Sequence, residues 1–387
     1  MALSPEQCRR IKNQHPEIEI LVQSSAIRSF KDEEYVQAGF QVADDLSGCD
    51  IILGIKEVPV DMLISGMRYM FFSHTFKKQE HNKKLFRALI ENKNTLIDYE
   101  LLKDKSGGRI LGFGKYAGVA GAYNALLAYG LKSNRYHLKP PQDCADRKEV
   151  SEELKKVDLP HNFRIVLTGT GRVASGAMEI LDEAGIKHIS PYDYLHVRQY
   201  ESVYTLLYYR DYYKDKSSTA FDADKYKRNP SVFTSNFMPY ATKSDMYITC
   251  HFWKNGLPII FSADDARDPN FAIRMVGDIS CDLDGPIAST LRTSTIAEPF
   301  YGYDPYLEAE VDFNAPNAIG VMAVDNLPCS LPKDASVDFG NEFIAKVLPH
   351  LLNGDTEGIL EKATEIKAGE LMPDFEYLSD YAGLQRL

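Results

Sequence analysis

Residues 164–181, RIVLTGTGRVASGAMEIL, carry the most legible chemistry in this chain. A β-branched run enters Gly169-Thr170-Gly171-Arg172-Val173-Ala174, a GxGxxA turn, and a helical pattern with Ala177, Ile180 and Leu181 leaves it. Such a turn suits a dinucleotide. Gly169 permits the tight bend, Gly171 lets a pyrophosphate approach the backbone, Ala174 allows close strand–helix packing, and the helix N-terminus faces the phosphate charge. A short strand, KHIS, follows, and then Asp193, an acid placed to accept hydrogen bonds from an adenosine ribose. Arg172 would instead favour a ribose phosphate, so NAD and NADP both stay open. A second candidate is FFSHTFKKQ (71–79), where His74 closes an apolar run and two lysines follow. Histidine titrates near neutrality and suits proton transfer. On those nine letters alone a hydrogen-bonded structural residue is the stronger reading.

The elements that must position these residues alternate. EIEILVQ (17–23), CDIILGI (49–55), YMFFS (69–73) and TLIDY (95–99) read as strands, and residues 79–92 place Leu85, Leu89 and Ile90 on one helical face. That alternation implies an α/β layer with mostly parallel strands. A Gly- and Ala-rich helix over 117–131 precedes a breaker-rich stretch with paired prolines at 140–141, where the first boundary falls. The second α/β unit opens at residue 164 and continues through MYITCHFW (246–253), PIIFS (258–262) and MVGDIS (275–280). A breaker at 327–332 and a helical pattern over 341–354 close the chain, and YYRDYYKDK (208–216) reads as a solvated excursion. The expected fold is α/β, with two Rossmann-like domains built on parallel sheets. The nucleotide-binding domain (136–328) is inserted between two parts of the substrate domain (1–135 and 329–387).

At 387 residues the chain is long enough for two such cores. Its net charge of −11 argues against a nucleic-acid or acidic-membrane partner, and a few local cations would still hold a small anion. The six cysteines form no CxxC or Cys/His cluster, so neither a metal site nor a disulfide framework is expected, and a cytoplasmic setting fits. MALSPEQCRR lacks the apolar core of a signal peptide, and the apolar run 117–131 is too short and interrupted to span a bilayer. A homodimer is the expectation from size and class.

IILGIKEVP (51–59), YMFFSHTFKKQEHN (69–82), LIDYELL (96–102), GRILGFGKYAGVAGAYNAL (108–126) and TGTGRVASGA (168–177) follow one another in order. FDADKYKRNP (221–230), GDISCDLDGPIAST (277–290), IAEPFYGYD (296–304) and VDNLPCSLPKDAS (324–336) continue the series. Together they resemble the lysine-forming saccharopine dehydrogenases, above all the lysine–ketoglutarate reductase half of the bifunctional lysine-degradation enzyme. The alanine dehydrogenase and transhydrogenase group is a more distant relative. The resemblance implies interconversion of saccharopine with L-lysine and 2-oxoglutarate, through an imine and an NAD(P)-borne hydride.

It also implies that Lys56 and His74 are the acid–base pair and that Glu57 and Glu100 moderate their charge. Lys77 and Arg109 would contact substrate, and Asp278 and Asp282 would line the nicotinamide end. Arg210 joins Arg172 as a candidate for a 2′-phosphate. The same residues suit a related amino-acid or opine dehydrogenase, or a nucleotide-binding relative impaired in catalysis. Relatives carry a strand and a charged segment, roughly R-E-x-K-x-x-E-R-R, just before the L-S/T-P that stands here as Leu3-Ser4-Pro5. The expectation is a start upstream of Met1 that supplies this strand and one or two substrate-binding cations.

Overall fold

A computed structural model describes residues 1–218 and 220–384. The chain forms two α/β units: residues 1–113 together with the chain from Pro332 onward, and residues 114–331.

The first unit is built on a five-stranded sheet in which Ile52–Leu53, Arg68–Phe71 and Thr95–Asp98 run parallel. The returning chain adds Thr364–Lys367 antiparallel to Thr95–Asp98, and Glu370–Leu371 antiparallel to that. The sheet is therefore mixed, where the sequence pattern led us to expect parallel strands. Ala368 and Gly369, with φ of 50° and 86°, close a two-residue hairpin, and a link that short joins only antiparallel strands. The core between sheet and returning helix packs Met70, Ile97 and Tyr99 against Phe339, Phe343 and Val347. The expected strand over 17–23 shrinks to Leu21–Gln23, which pairs with Gln41–Ala43 in a separate two-stranded sheet.

The second unit carries an eight-stranded sheet. From one edge its order is Ala309–Val311, Phe300–Asp304, Ile319–Met322, Met275–Asp278, Met246–Thr249, Arg164–Thr168, Val203–Leu207 and Lys187–His188. All run in one direction except Phe300–Asp304, which is antiparallel to both its neighbours, and the short turn to Ala309–Val311 again forbids a parallel crossover.

The helix Gly114–Ser133 belongs to this unit, so the division falls at 113/114 and not at 135/136. Its reason is a glycine contact. A Cβ at Gly118 would lie 1.9 Å from the Val173 carbonyl oxygen, and one at Gly176 would lie 1.9 Å from that of Lys115. The two helices touch backbone to backbone, as only glycine allows. The proline-rich stretch after the helix is a covering segment of the same unit. It is pinned where Tyr123 donates to the Lys139 carbonyl at 2.7 Å and Tyr136 donates to that of Leu126 at 2.8 Å.

YYRDYYKDK is not a solvated excursion. Tyr212 and Tyr213 are buried, and Tyr213–Asp215 pairs antiparallel with Phe233–Ser235. The strand alternates Tyr213 and Asp215 inward with Lys214 outward, and Lys225 reaches the buried Asp215 at 2.5 Å. PIIFS forms only an isolated bridge, Phe261 with Ile287. The LGFG segment forms no strand and leads straight into the helix at Gly114.

Candidate active site

In the first unit the strand Arg68–Phe71 is followed by Phe72, Ser73 and His74. Phe72 packs edge-on against Tyr99 at 5.3 Å and lies near-parallel to the His74 ring at 6.4 Å. His74 sits in the left-handed region, with φ 55°. A non-glycine residue holds that conformation only where its surroundings impose it. They do so here through Asp98, at the end of the neighbouring parallel strand. One Asp98 oxygen accepts the backbone N–H groups of Ser73 (3.0 Å) and His74 (3.2 Å), and the other accepts that of Glu100 (2.6 Å). One carboxylate thus sets the backbone of both His74 and Glu100.

Glu100 is the centre of the constellation. It is 9% exposed and meets His74 Nδ1 at 3.0 Å, Lys77 Nζ at 2.8 Å and Arg109 at 2.6 Å. Burial alone would raise its pKa. Hydrogen bonds from His74 and Lys77, with the charge of Arg109, outweigh burial and hold the carboxyl at about 2. With Nδ1–H donating to Glu100, Nε2 is the imidazole nitrogen left for a reacting group. Lys77 and Arg109 present half-exposed heads, so the cluster carries surplus positive charge that suits carboxylate substrates.

The other expected residues stand around this centre. Lys56 follows the strand Ile52–Leu53, is exposed, and makes no hydrogen bond or ion pair with a described residue. Glu57 meets Asn82 at 3.4 Å rather than a cation, and Asn82 in turn holds the Ser73 carbonyl at 2.9 Å. Lys78 lies over the Tyr377 ring, 5.4 Å from its centre, and does not join Glu100.

In the second unit Gly169, at φ 98°, follows the strand Arg164–Thr168; a Cβ there would lie 2.3 Å from the Cys250 carbonyl oxygen. Gly171 caps the helix Arg172–Glu183, and a Cβ on it would meet nothing within 4 Å. Open space at the N-terminus of a twelve-residue helix, with Thr170 exposed beside it, fits a dinucleotide pyrophosphate. Val173, by contrast, packs on the core.

Asp193 is placed elsewhere. It lies beyond the edge strand Lys187–His188, with Val203–Leu207 between it and the glycine strand, and its carboxylate accepts from Ser190 at 2.8 Å. The strand that adjoins the glycine turn is Val203–Leu207, and Gly169 N–H donates to its last carbonyl at 3.1 Å. The residues at that strand end are Tyr208, Arg210 and Asp211. Asp211 turns back to accept the Tyr208 N–H at 2.8 Å, while Arg210 lies 5.2 Å from the centre of the Tyr208 ring. A better strand signal was available in the sequence, because VYTLLYY is longer and more β-branched and aromatic than KHIS.

Asp278 is buried and used internally. It accepts from Thr249 (2.5 Å), Thr290 (2.6 Å) and the backbone of Ser280 and Cys281 (3.1 Å each), so it holds its own loop. Asp282, next along that loop, is pushed up to about 6 by burial and then by the charge of Asp278. No helix among the described residues is long and apolar enough to cross a membrane.

Residues 1–120 match the family described as alanine dehydrogenase/PNT, N-terminal domain. Over 97% of its length the chain is 30% identical to alpha-aminoadipic semialdehyde synthase of Arabidopsis thaliana, of which it covers 40%. It is 26% identical, over 84% of its length and 82% of the relative's, to saccharopine dehydrogenase [NAD(+), L-lysine-forming] of Neurospora crassa. The chain is thus similar over most of its length to an aminoadipic semialdehyde synthase and a lysine-forming saccharopine dehydrogenase, and over residues 1–120 to the alanine dehydrogenase/PNT N-terminal domain.

Two solved structures share the fold. An L-alanine dehydrogenase matches with a TM-score of 0.64 at 16% identity, over 98% of this chain and 95% of that one. A transhydrogenase from Sinorhizobium meliloti matches with 0.60 at 14%, over 96% and 95%. The chain spans about 40% of the length of the aminoadipic semialdehyde synthase it matches.

Proposed function

We propose that this chain is an NAD(P)-dependent amino/imino-acid dehydrogenase whose substrate pair is L-lysine and 2-oxoglutarate, reductively joined to saccharopine. The observation that carries the reading is Glu100, one buried carboxylate that gathers an imidazole and two cations on one side of the sheet. The similarity to a lysine-forming saccharopine dehydrogenase of Neurospora crassa supports the lysine side of it.

In the synthetic direction the lysine ε-amine adds to the 2-oxoglutarate carbonyl and water leaves, giving an imine. Gly169, Thr170 and Gly171 would hold the pyrophosphate of the dinucleotide, which when bound supplies the hydride to the imine carbon. His74 Nε2 takes the proton released as the amine adds and returns one as water departs. Glu100 keeps the imidazole oriented through its contact with Nδ1. Lys77 and Arg109 hold substrate carboxylates, and Lys56, unengaged at its strand end, completes the acid–base pair.

The test is NAD(P)H oxidation with lysine plus 2-oxoglutarate, then with ammonia, alanine or ornithine in place of lysine. Turnover confined to lysine supports the substrate assignment. Turnover with another amine and none with lysine moves it to a second reading, an alanine dehydrogenase-like enzyme, which the family match over residues 1–120 favours. Binding of the dinucleotide with no turnover on any pair contradicts both.

The strand order yields a further expectation about the cofactor. Arg210, beside the glycine turn and without a carboxylate partner among the described residues, is proposed to meet a 2′-phosphate. R210A should weaken NADPH binding about tenfold, the loss of one charge-assisted contact. NADH binding should stay within about twofold. D193A should leave both affinities unchanged by fluorescence titration; a loss in D193A and none in R210A would return the ribose to Asp193.

A further inference from the structure

Glu365 is fully buried, yet nothing in the chemistry above uses it. It arrives on the strand Thr364–Lys367, where the pairing with Thr95–Asp98 slips between Thr364 and Ile366. Glu365 is therefore the extra residue of a bulge, a device that re-aims a side chain. Its carboxyl points at the segment that carries His74. Oε2 lies 2.9 Å from Thr75 Oγ1, Thr75 Oγ1 lies 2.6 Å from Ser73 Oγ, and Ser73 Oγ lies 2.5 Å from Asp98 Oδ2. Its Oε1 is also 3.0 Å from both hydroxyls.

Two hydroxyls supply two protons to these contacts, which link two buried carboxyl groups. Were both ionised, like charges would face each other through Ser73 and Thr75 with no cation between them. The titratable groups facing Glu365 are Asp98 from the neighbouring strand and, more distantly, the phenols of Tyr377 and Tyr381. Glu100 bears only on the far side of Asp98. A third proton, on Glu365, completes a single directed chain. Glu365 donates to Thr75, Thr75 to Ser73, and Ser73 to Asp98, which remains an acceptor for the backbone N–H groups of Ser73, His74 and Glu100.

We propose that Glu365 is a positioning residue, a neutral carboxylic acid that closes this relay and so fixes the backbone presenting His74 to Glu100. Burial and the adjacent Asp98 push its carboxyl up to about 8, which agrees with a proton retained at neutral pH. A carboxyl raised in the fold is stable there while protonated. Stability is lost as pH rises from the ordinary carboxylate range through about 8. The functional part rests on the reading of His74 as the proton-handling group, so the experiment has one arm that needs no turnover.

That arm is the infrared difference spectrum of wild-type protein minus E365Q at pH 7. It should show the carbonyl stretch of a protonated carboxyl, fading as pH passes about 8; its absence overturns the protonated Glu365. The other arm is kinetic. E365Q, whose amide still donates to Thr75, should keep kcat within about threefold of wild type and lose the alkaline decline in kcat that wild type should show as pH rises through about 8. E365L should lower kcat about tenfold or more with the dinucleotide Kd unchanged. Equal kcat in E365L and wild type, or an alkaline decline in E365Q identical to that of wild type, overturns the positioning role. If the infrared band is present but H74N turns over like wild type, the reading of His74 fails while the protonated relay stands.

Discussion

Exchanging His74 for Asn should lower kcat by about 10²–10⁴-fold, the usual contribution of a positioned acid–base group, with little change in unfolding free energy. Asparagine is the informative replacement because it tolerates the left-handed backbone at φ 55° that alanine would strain. It can still donate to Glu100, so the loss isolates proton transfer from geometry. The stability cost should stay within about 1 kcal/mol, one exchanged hydrogen bond at a partly exposed site. Urea denaturation alongside steady-state kinetics checks both halves. Full turnover in a folded H74N protein would make His74 structural.

Replacing Glu100 with Gln should act on turnover and stability together. The amide cannot balance Lys77 and Arg109 and holds the His74 ring less firmly, so kcat should fall by about tenfold or more. At neutral pH the variant should be less stable by on the order of 2 kcal/mol, discounted because Lys77 and Arg109 are half exposed. The sign of the pH dependence follows from a depressed carboxyl. Glu100 lies at about 2 in the fold against an ordinary value near 4.3 when unfolded. Its stabilisation is complete above the ordinary range and is lost as pH falls towards 2. The gap between wild type and E100Q should therefore be widest at pH 7 and narrow progressively below about pH 4.5 in denaturant titrations. A gap unchanged down to pH 2.5 would contradict the ion-paired Glu100.

What the sequence disclosed tracks how local each signal is. The glycine turn was legible because strand, turn and helix are contiguous and Gly169 and Gly171 each have a local steric reason. His74 and Glu100 were legible only through the ordered motifs around them, since their meeting depends on two strands lying side by side. Asp193 was read from sequence distance alone, which does not disclose strand order, and Val203–Leu207 inserts between Lys187–His188 and the glycine strand. The helix Gly114–Ser133 misled for a related reason. Buried along most of its length, it shows no polar face to say which neighbour it packs on, and the close approach of Gly118 to Val173 appears only in three dimensions. Glu365 was invisible: its contact with Ser73 crosses 292 positions, and a lone Glu in TEIK reads as solvent-facing until the bulge turns it inward.

We propose that His74 and Glu100 handle protons in an amine reduction that draws its hydride from a dinucleotide. The most direct test is a stopped-flow measurement of nicotinamide absorbance on mixing NADPH- or NADH-loaded protein with lysine and 2-oxoglutarate, in wild type and H74N. The account predicts cofactor oxidation that requires both substrates, saturates with lysine, and slows by at least about a hundredfold in H74N while dinucleotide binding is retained. Oxidation at the same rate in H74N, or none in wild type with any amine and keto-acid pair despite bound dinucleotide, would contradict it.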